Sequence, residues 1–114
     1  MESKRVLIYD NQHGFSRFLK KEFGKVIDFK VYKNFDSISN LDTIQEYYSF
    51  VIFVIYSESD LFDFIKIHGK GLPIVVCSFK VILNKFENND GISFIDISKC
   101  KKELLNDFQF FLYA

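Results

Sequence analysis

Three runs along the chain are apolar at almost every position, and each has the length of a β-strand. They are residues 6–9 (Val-Leu-Ile-Tyr), 50–55 (Phe-Val-Ile-Phe-Val-Ile) and 74–77 (Ile-Val-Val-Cys). Strands that are covered by helices on both faces of a parallel sheet have this continuous apolar pattern. The three runs therefore predict central strands.

Two other runs alternate between apolar and polar positions instead. Ile27, Phe29 and Val31 alternate with Asp28, Lys30 and Tyr32, and Ile95 and Ile97 alternate with Asp96 and Ser98. Alternation is typical of a strand with one partly wet face. These runs predict the two edge strands of the sheet.

Five segments between or after the strands have apolar residues at helical spacing. Their apolar positions are Phe15, Phe18, Leu19 and Phe23; Ile38, Leu41, Ile44 and Tyr48; Leu61, Phe64 and Ile65; Val81, Ile82 and Phe86; and Leu104, Leu105, Phe108 and Phe111. The first stripe stops at Gly24, a natural C′ residue, and the third helix should end near Gly69.

Five strands that alternate with five helices predict parallel βαβ units and an α/β fold. If the alternating second and fifth strands lie at the edges, the strand order is 2-1-3-4-5. This is the flavodoxin-like doubly wound (βα)5 arrangement. We expect one domain over residues 1–114.

Composition excludes several classes of partner. Lys plus Arg and Asp plus Glu both number 15, so no net field attracts nucleic acid or an anionic membrane. Cys77 and Cys100 match no metal or disulfide spacing, and the apolar run near the N-terminus is too short for a signal peptide. We expect a cytoplasmic protein without a cofactor or a metal.

In this architecture a ligand site forms where the strands end, beside the point at which the strand order reverses. The polar side chains that follow the strands are Asp10, Asn11 and His13; Tyr56, Ser57 and Glu58; Ser78; and Ser98 and Lys99. An acid, a hydroxyl and an ammonium group are therefore expected in one crevice.

Over essentially its whole length the chain resembles the receiver domains of response regulators. Residues 6–11 resemble the opening strand with its two Mg²⁺-binding acids, and residues 72–78 resemble the fourth strand, which ends in the Ser or Thr that contacts the phosphoryl group. Lys99, or equally Ser98, falls where the resemblance places the phosphate-pairing lysine.

The sequence departs from the receiver pattern at the positions that carry phosphorylation and Mg²⁺ binding in that family. Val54 occupies the position of the phosphoacceptor aspartate, and valine cannot form an acyl phosphate. Asn11 replaces the second acid, so Asp10 alone remains of three carboxylates. Cys100 replaces the proline that follows the lysine in the family, and the fourth helix is short.

Each candidate also has a structural interpretation. Asp10 and Asn11 are typical of a turn and N-cap pair, Ser78 of a helix cap, and Lys99 of a solvated loop. Glu58 is a candidate replacement for the missing acid. His13 has no second ligand at metal spacing, and no nucleophile elbow surrounds Ser78. We therefore expect no enzyme activity.

The last helix adds a candidate interaction surface. A single stripe that buries Phe108 and Phe111 leaves Phe110 or Tyr113 exposed, and exposed aromatic side chains favour interfaces. With Phe94 on strand five they form the expected partner-binding set, although the terminal residues could instead fold back onto helix four.

The sequence thus predicts a stand-alone receiver-like regulatory protein that binds a protein partner, or a second copy of itself, without phosphotransfer. The face involved is formed by helix four, strand five and helix five. The alternative hypothesis is a sensor that holds an anion or small ligand between Asp10, Ser78 and Lys99.

Overall fold

The computed structural model describes residues 4–34, 38, 46–67, 73–79, 82 and 92–113. In chain order the elements are β1 (Lys4–Tyr9), α1 (Gly14–Phe23), β2 (Ile27–Tyr32), β3 (Phe50–Val54), α2 (Ser59–Ile67), β4 (Ile74–Ser78), β5 (Ile92–Asp96) and α3 (Lys101–Leu112). The predicted helices over residues 38–48 and 81–86 lie largely outside the described residues.

The five strands form one parallel sheet in the order β2-β1-β3-β4-β5, as the hydrophobic pattern predicts. Val6 of β1 lies between Phe29 of β2 and Phe50 of β3. β2 and β5 are the edges, so the predicted strand order is confirmed. The sheet therefore reverses its order between β1 and β3, where their carboxyl ends adjoin.

The central strands bury both of their faces in two separate apolar clusters. Along β3, Phe50, Ile52 and Val54 pack into one cluster, while Val51 and Phe53 pack into the other. The first cluster lies under α1 and α3, and the second lies under α2. This three-layer arrangement explains why the central runs contain no polar residue.

The first helix ends where the sequence predicts, and α2 differs from the prediction in one detail. Gly24 is the C-cap of α1, with φ −66° and ψ −13°. In α2 the buried positions are Asp60, Phe64 and Ile67, whereas Ile65 is 67% exposed. The prediction that Ile65 belongs to the buried stripe is wrong because the buried face of α2 follows an i, i+4, i+7 spacing.

The last strand ends earlier than the alternating pattern predicts. β5 stops at Asp96, whose Oδ1 accepts hydrogen bonds from the backbone N–H of Ser98 at 2.9 Å and from its hydroxyl at 2.6 Å. This side chain turns the backbone, so Ile97 and Ser98 belong to a turn. β5 itself is half-buried along most of its length and does not alternate.

Candidate functional site

The register of the sheet brings the ends of β1 and β3 together at the predicted crevice. Tyr9 is paired with Phe53, so Asp10 and Val54 follow side by side. The backbone N–H of Asp10 continues the ladder by donating to the carbonyl of Tyr32 at 3.0 Å. The backbone of Asp10 is thus held by β2 before its side chain makes any contact.

Both oxygens of the Asp10 carboxylate are occupied by protein donors, and the residue has no solvent exposure. Oδ1 accepts from the backbone N–H groups of Gln12 at 3.3 Å and His13 at 3.0 Å, and Oδ2 accepts from that of Ser16 at 2.8 Å. These donors belong to the turn before α1 and to its first turn. The carboxylate therefore anchors the start of α1, where negative charge is stabilising.

A fourth donor reaches the same carboxylate from across the sheet. The hydroxyl of Tyr56, which follows β3, donates to Asp10 Oδ1 at 2.6 Å. Burial and the adjacent carboxylate raise the pKa of Tyr56 above its usual 10.0. The phenol therefore stays protonated and keeps donating over the whole neutral range.

A second buried carboxylate, that of Asp60, lies at the N-terminus of α2. Asp60 is 2% exposed, and its Oδ2 accepts from the backbone N–H groups of Tyr56 at 2.9 Å and Ser57 at 3.3 Å. Sequence reasoning missed this residue. The available signal was the Ser57-x-x-Asp60 spacing, which is typical of a capping box at the start of a helix.

Asn11 connects these two helix N-termini. Its side-chain amide donates to Asp60 Oδ1 at 2.6 Å. The residue that the resemblance aligns with a second acid thus satisfies a buried carboxylate, whereas an aspartate there would oppose it. Nearby, Tyr9 donates to Asp63 Oδ2 at 2.8 Å, and burial together with this carboxylate raises the pKa of Tyr9.

Ser78 and Lys99 do not join Asp10. The buried hydroxyl of Ser78 donates to the carbonyl of Ile55 at 2.5 Å, so it ties β4 to the end of β3. Lys99 Nζ lies 3.0 Å from Asp107 of α3, and this partner raises its pKa. Ser98, the alternative at the lysine position, bonds to Asp96.

The remaining strand-end residues also have local roles. His13 adopts φ 64°, in the left-handed region, and its Nδ1 lies 2.9 Å from Ser16 Oγ. The hydroxyls of Ser57 and Ser59 lie 2.8 Å apart on the surface. Glu58 is exposed in the same turn and is not among the residues that bond to Asp10.

Val54 has no solvent exposure and packs in the cluster under α1 and α3. The position that the resemblance aligns with a phosphoacceptor is thus an apolar core position. Within the described ranges, no group of three His, Cys, Asp or Glu side chains is arranged to hold a metal ion. Asp10 has no solvent exposure, so a metal ion would reach its carboxylate only after a local rearrangement.

The C-terminal aromatic residues divide between core and surface. Phe108 has no exposure and Phe111 is partly buried, whereas Phe110 is 73% and Tyr113 54% exposed. Tyr113 also makes an edge contact with Phe23, with ring centroids 5.9 Å apart. The sequence-predicted Phe94 is partly buried beside the α2 cluster.

No described helix has the length and apolar content needed to span a bilayer. No protein-family model, no curated protein and no solved structure matches the chain. The functional interpretation therefore depends on the geometry of this chain.

Proposed function

We propose that the chain is a flavodoxin-like (βα)5, receiver-like regulatory domain that acts by binding another protein and not by phosphotransfer. The observation that carries this proposal is the state of Asp10, whose two carboxylate oxygens are occupied by three backbone N–H groups and one phenol. A carboxylate used in this way stabilises the fold and has little capacity left for Mg²⁺ or an anion.

The side chains at the neighbouring strand ends support the same proposal. Val54 is fully buried, Ser78 is bonded to a backbone carbonyl, and Lys99 is paired with Asp107. The alternative, a ligand held between Asp10, Ser78 and Lys99, would require all three to exchange their present partners. The occupied pocket thus favours a function that resides on the surface.

The end of α3 is the surface we assign to partner binding. Phe110 and Tyr113 expose aromatic rings at the end of this helix, and such side chains contribute strongly to protein interfaces. These two residues form the C-terminal surface. Phe94 of β5, the third member predicted from the sequence, packs against the cluster on the α2 side of the sheet and does not belong to this surface. Its partner is a protein or a second copy of the chain.

The absence of phosphoryl chemistry can be tested by NMR. Uniformly ¹⁵N-labelled protein is titrated with Mg²⁺ and then with beryllofluoride, which mimics an aspartyl phosphate. We expect no saturable shifts of the amides of Asp10, Val54 or Ser78. Saturable shifts at these amides would refute the proposal of a phosphorylation-independent domain.

The C-terminal surface is tested by capturing partners from a native lysate. A variant with Phe110→Ser and Tyr113→Ser should lose proteins that the wild type retains. Phe62→Ser is the matched control, because Phe62 is 70% exposed but lies on α2, on the other side of the sheet. Equal capture by the wild type and the double variant removes this surface from the proposal.

A further inference from the structure

The outer surface of α1 carries positive charge that neighbouring acids do not offset. Arg17, Lys20 and Lys21 on the helix, and Lys25 just after it, are all exposed. Within the described part of the chain, none of the four forms an ion pair. Because the whole chain has zero net charge, this helix is a strong local departure from the average.

An apolar groove lies directly beside this charge, between α1 and α3. The α1–α3 groove has a volume of about 480 Å³ and is lined by Gly14, Phe15, Phe18, Lys21, Glu22, Tyr56, Lys101 and Leu104. Its floor is formed by Phe15, Phe18 and Leu104. Charged side chains from both helices border the groove.

Among the residues that the structure describes, one acid borders the α1–α3 groove, and it has a partner. Glu22 Oε1 lies 3.2 Å from Lys101 Nζ, so this ion pair joins α1 to α3. Lys21 lines the same groove without an acidic partner in the described part of the chain. The rim therefore carries one net positive charge, and Arg17 lies one turn before Lys21 on the same helix.

A second depression lies on the opposite flank of α1. It has a volume of about 520 Å³, and its lining includes Lys20, Lys21, Lys25 and Val26. Lys21 borders both depressions. The exposed cations on and just after α1, Arg17, Lys20, Lys21 and Lys25, thus form a cationic ridge beside the apolar floor of the α1–α3 groove. This arrangement suits a ligand with one apolar and one acidic face.

We propose that the α1–α3 groove binds an acidic amphipathic segment of a partner protein. Apolar side chains of that segment enter between Phe15, Phe18 and Leu104, and its carboxylates meet Lys21 and Arg17. Helices that lay an apolar face into a groove are a general mode of peptide recognition. This surface is distinct from Phe110 and Tyr113, so its assignment does not depend on the C-terminal surface.

Shape and charge together favour this partner over other polyanions. A bilayer surface cannot follow a concave groove between two helices. Single-stranded nucleic acid binds by stacking its bases on exposed aromatic rings, whereas Phe15 and Phe18 are only partly exposed and pack against Phe108. An acidic amphipathic segment uses both the apolar floor and the cations.

The test uses a synthetic 16-residue helical peptide with Leu on one face and Glu on the other. A matched peptide has Gln in place of every Glu. In ¹⁵N NMR titrations of the full chain at 50 mM NaCl, the Glu peptide should shift the amides of Gly14, Phe18 and Leu104 saturably. It should bind at least tenfold more tightly than the Gln peptide and weaken on addition of salt.

Charge-reversal variants identify the cations that bind the Glu peptide. Arg17→Glu combined with Lys21→Glu should weaken binding of the Glu peptide at least tenfold. Both residues are exposed, so the circular dichroism spectrum should be unchanged. Lys66→Glu, a charge reversal on α2, should leave the affinity as in the wild type. A Phe18→Ser variant, checked for folding in the same way, should weaken both peptides.

Three results would overturn the proposal. The first is equal affinity for the Glu and Gln peptides, and the second is shifts centred on Phe62 and Ile65 of α2 and not on the α1–α3 groove. The third is tight binding of phosphatidylserine vesicles or of an oligouridine, at least as tight as that of the Glu peptide, that is lost in the Arg17 and Lys21 double variant. That outcome would assign the cationic ridge to a different class of partner.

Discussion

Replacing Asp10 with asparagine tests whether this carboxylate holds the fold together. The change keeps the shape of the side chain but removes its charge and converts one acceptor oxygen into an NH₂ donor. Oδ1 serves Gln12, His13 and Tyr56, so the amide oxygen is best placed there and the new NH₂ group faces the backbone N–H of Ser16. Two donors then oppose each other in a buried position.

The expected cost follows from these contacts. A buried donor that loses its acceptor costs about 1–3 kcal/mol, which applies to the N–H of Ser16. The other three hydrogen bonds persist, but they lose the strengthening that an ionised acceptor provides, and α1 loses a negative charge at its N-terminus, worth about 0.3–1 kcal/mol. We expect Asp10→Asn to lower the free energy of unfolding by about 3 kcal/mol.

Urea denaturation followed by circular dichroism measures this change. With an m-value of about 1.5 kcal/mol/M, the midpoint should fall by about 2 M. Asp28→Asn is the matched control, because Asp28 has a side chain that is 58% exposed and makes only a surface ion pair with Arg5. Such pairs contribute about 0.2–1 kcal/mol, so the control should unfold close to the wild type.

The reasoning is refuted if Asp10→Asn and Asp28→Asn unfold within about 0.5 kcal/mol of each other, the usual range of a surface substitution. A metal-binding role would give a different pattern. If Mg²⁺ bound through Asp10, 10 mM MgCl₂ would raise the urea midpoint of the wild type and not that of Asp10→Asn. We expect the same midpoint with and without Mg²⁺ for both proteins.

Three further predictions concern other contacts. The pKa of Tyr56 is raised above its usual 10.0. The stability linked to its protonated form is therefore present below about pH 10 and lost above it. The free energy of unfolding of the wild type should fall above pH 10 by up to about 1.4 kcal/mol per pH unit for each such tyrosine. Tyr56→Phe should fall less steeply, and equal slopes for the two proteins would contradict this. His13 has φ 64°, a conformation that glycine adopts readily and a β-branched residue does not. His13→Val should therefore lower the free energy of unfolding by about 2 kcal/mol, while His13→Gly should stay within about 1 kcal/mol of the wild type. Similar losses in both variants would show that the side chain matters more than the backbone. Phe108 has no exposure and Phe110 is 73% exposed. In denaturant titrations Phe108→Ala should therefore lower the free energy of unfolding by about 3–5 kcal/mol, and Phe110→Ala by less than about 0.5 kcal/mol. A loss above about 1 kcal/mol for Phe110→Ala would place that ring in the core.

The arrangement of the sheet could be predicted because burial leaves a direct trace in the sequence. Ile27, Phe29 and Val31 alternate with polar residues since only one face of β2 is covered, and this placed the strand at an edge. The exact end of β5 could not be predicted in the same way. It depends on a turn made by the Asp96 side chain, and Ile97 is buried although it lies beyond the strand.

The role of Asp10 could not be decided from the sequence, which allowed both a turn residue and a polar pocket. Its partners Gln12, His13 and Ser16 are local, but the fourth donor, Tyr56, lies 46 residues later in the chain. The two roles differ in whether the carboxylate faces solvent or already accepts hydrogen bonds from the protein. Only the folded arrangement of β1 and β3 shows that the residue is buried and that both of its oxygens accept such bonds.

The two proposed binding surfaces share α3 but lie at its opposite ends. Lys101 and Leu104 border the α1–α3 groove, while Phe110 and Tyr113 lie at the C-terminal end. The nearest residues of the two surfaces, Leu104 and Phe110, are about 9 Å apart along the helix axis, at 1.5 Å per residue. Changes at sites without shared partners usually become additive at separations of about 7–10 Å. The fully buried Phe108 lies between them, so occupancy of one surface affects the other only if α3 moves as a whole over the sheet. A domain whose crevice is closed by its own hydrogen bonds can thus still bring two partners together on one helix.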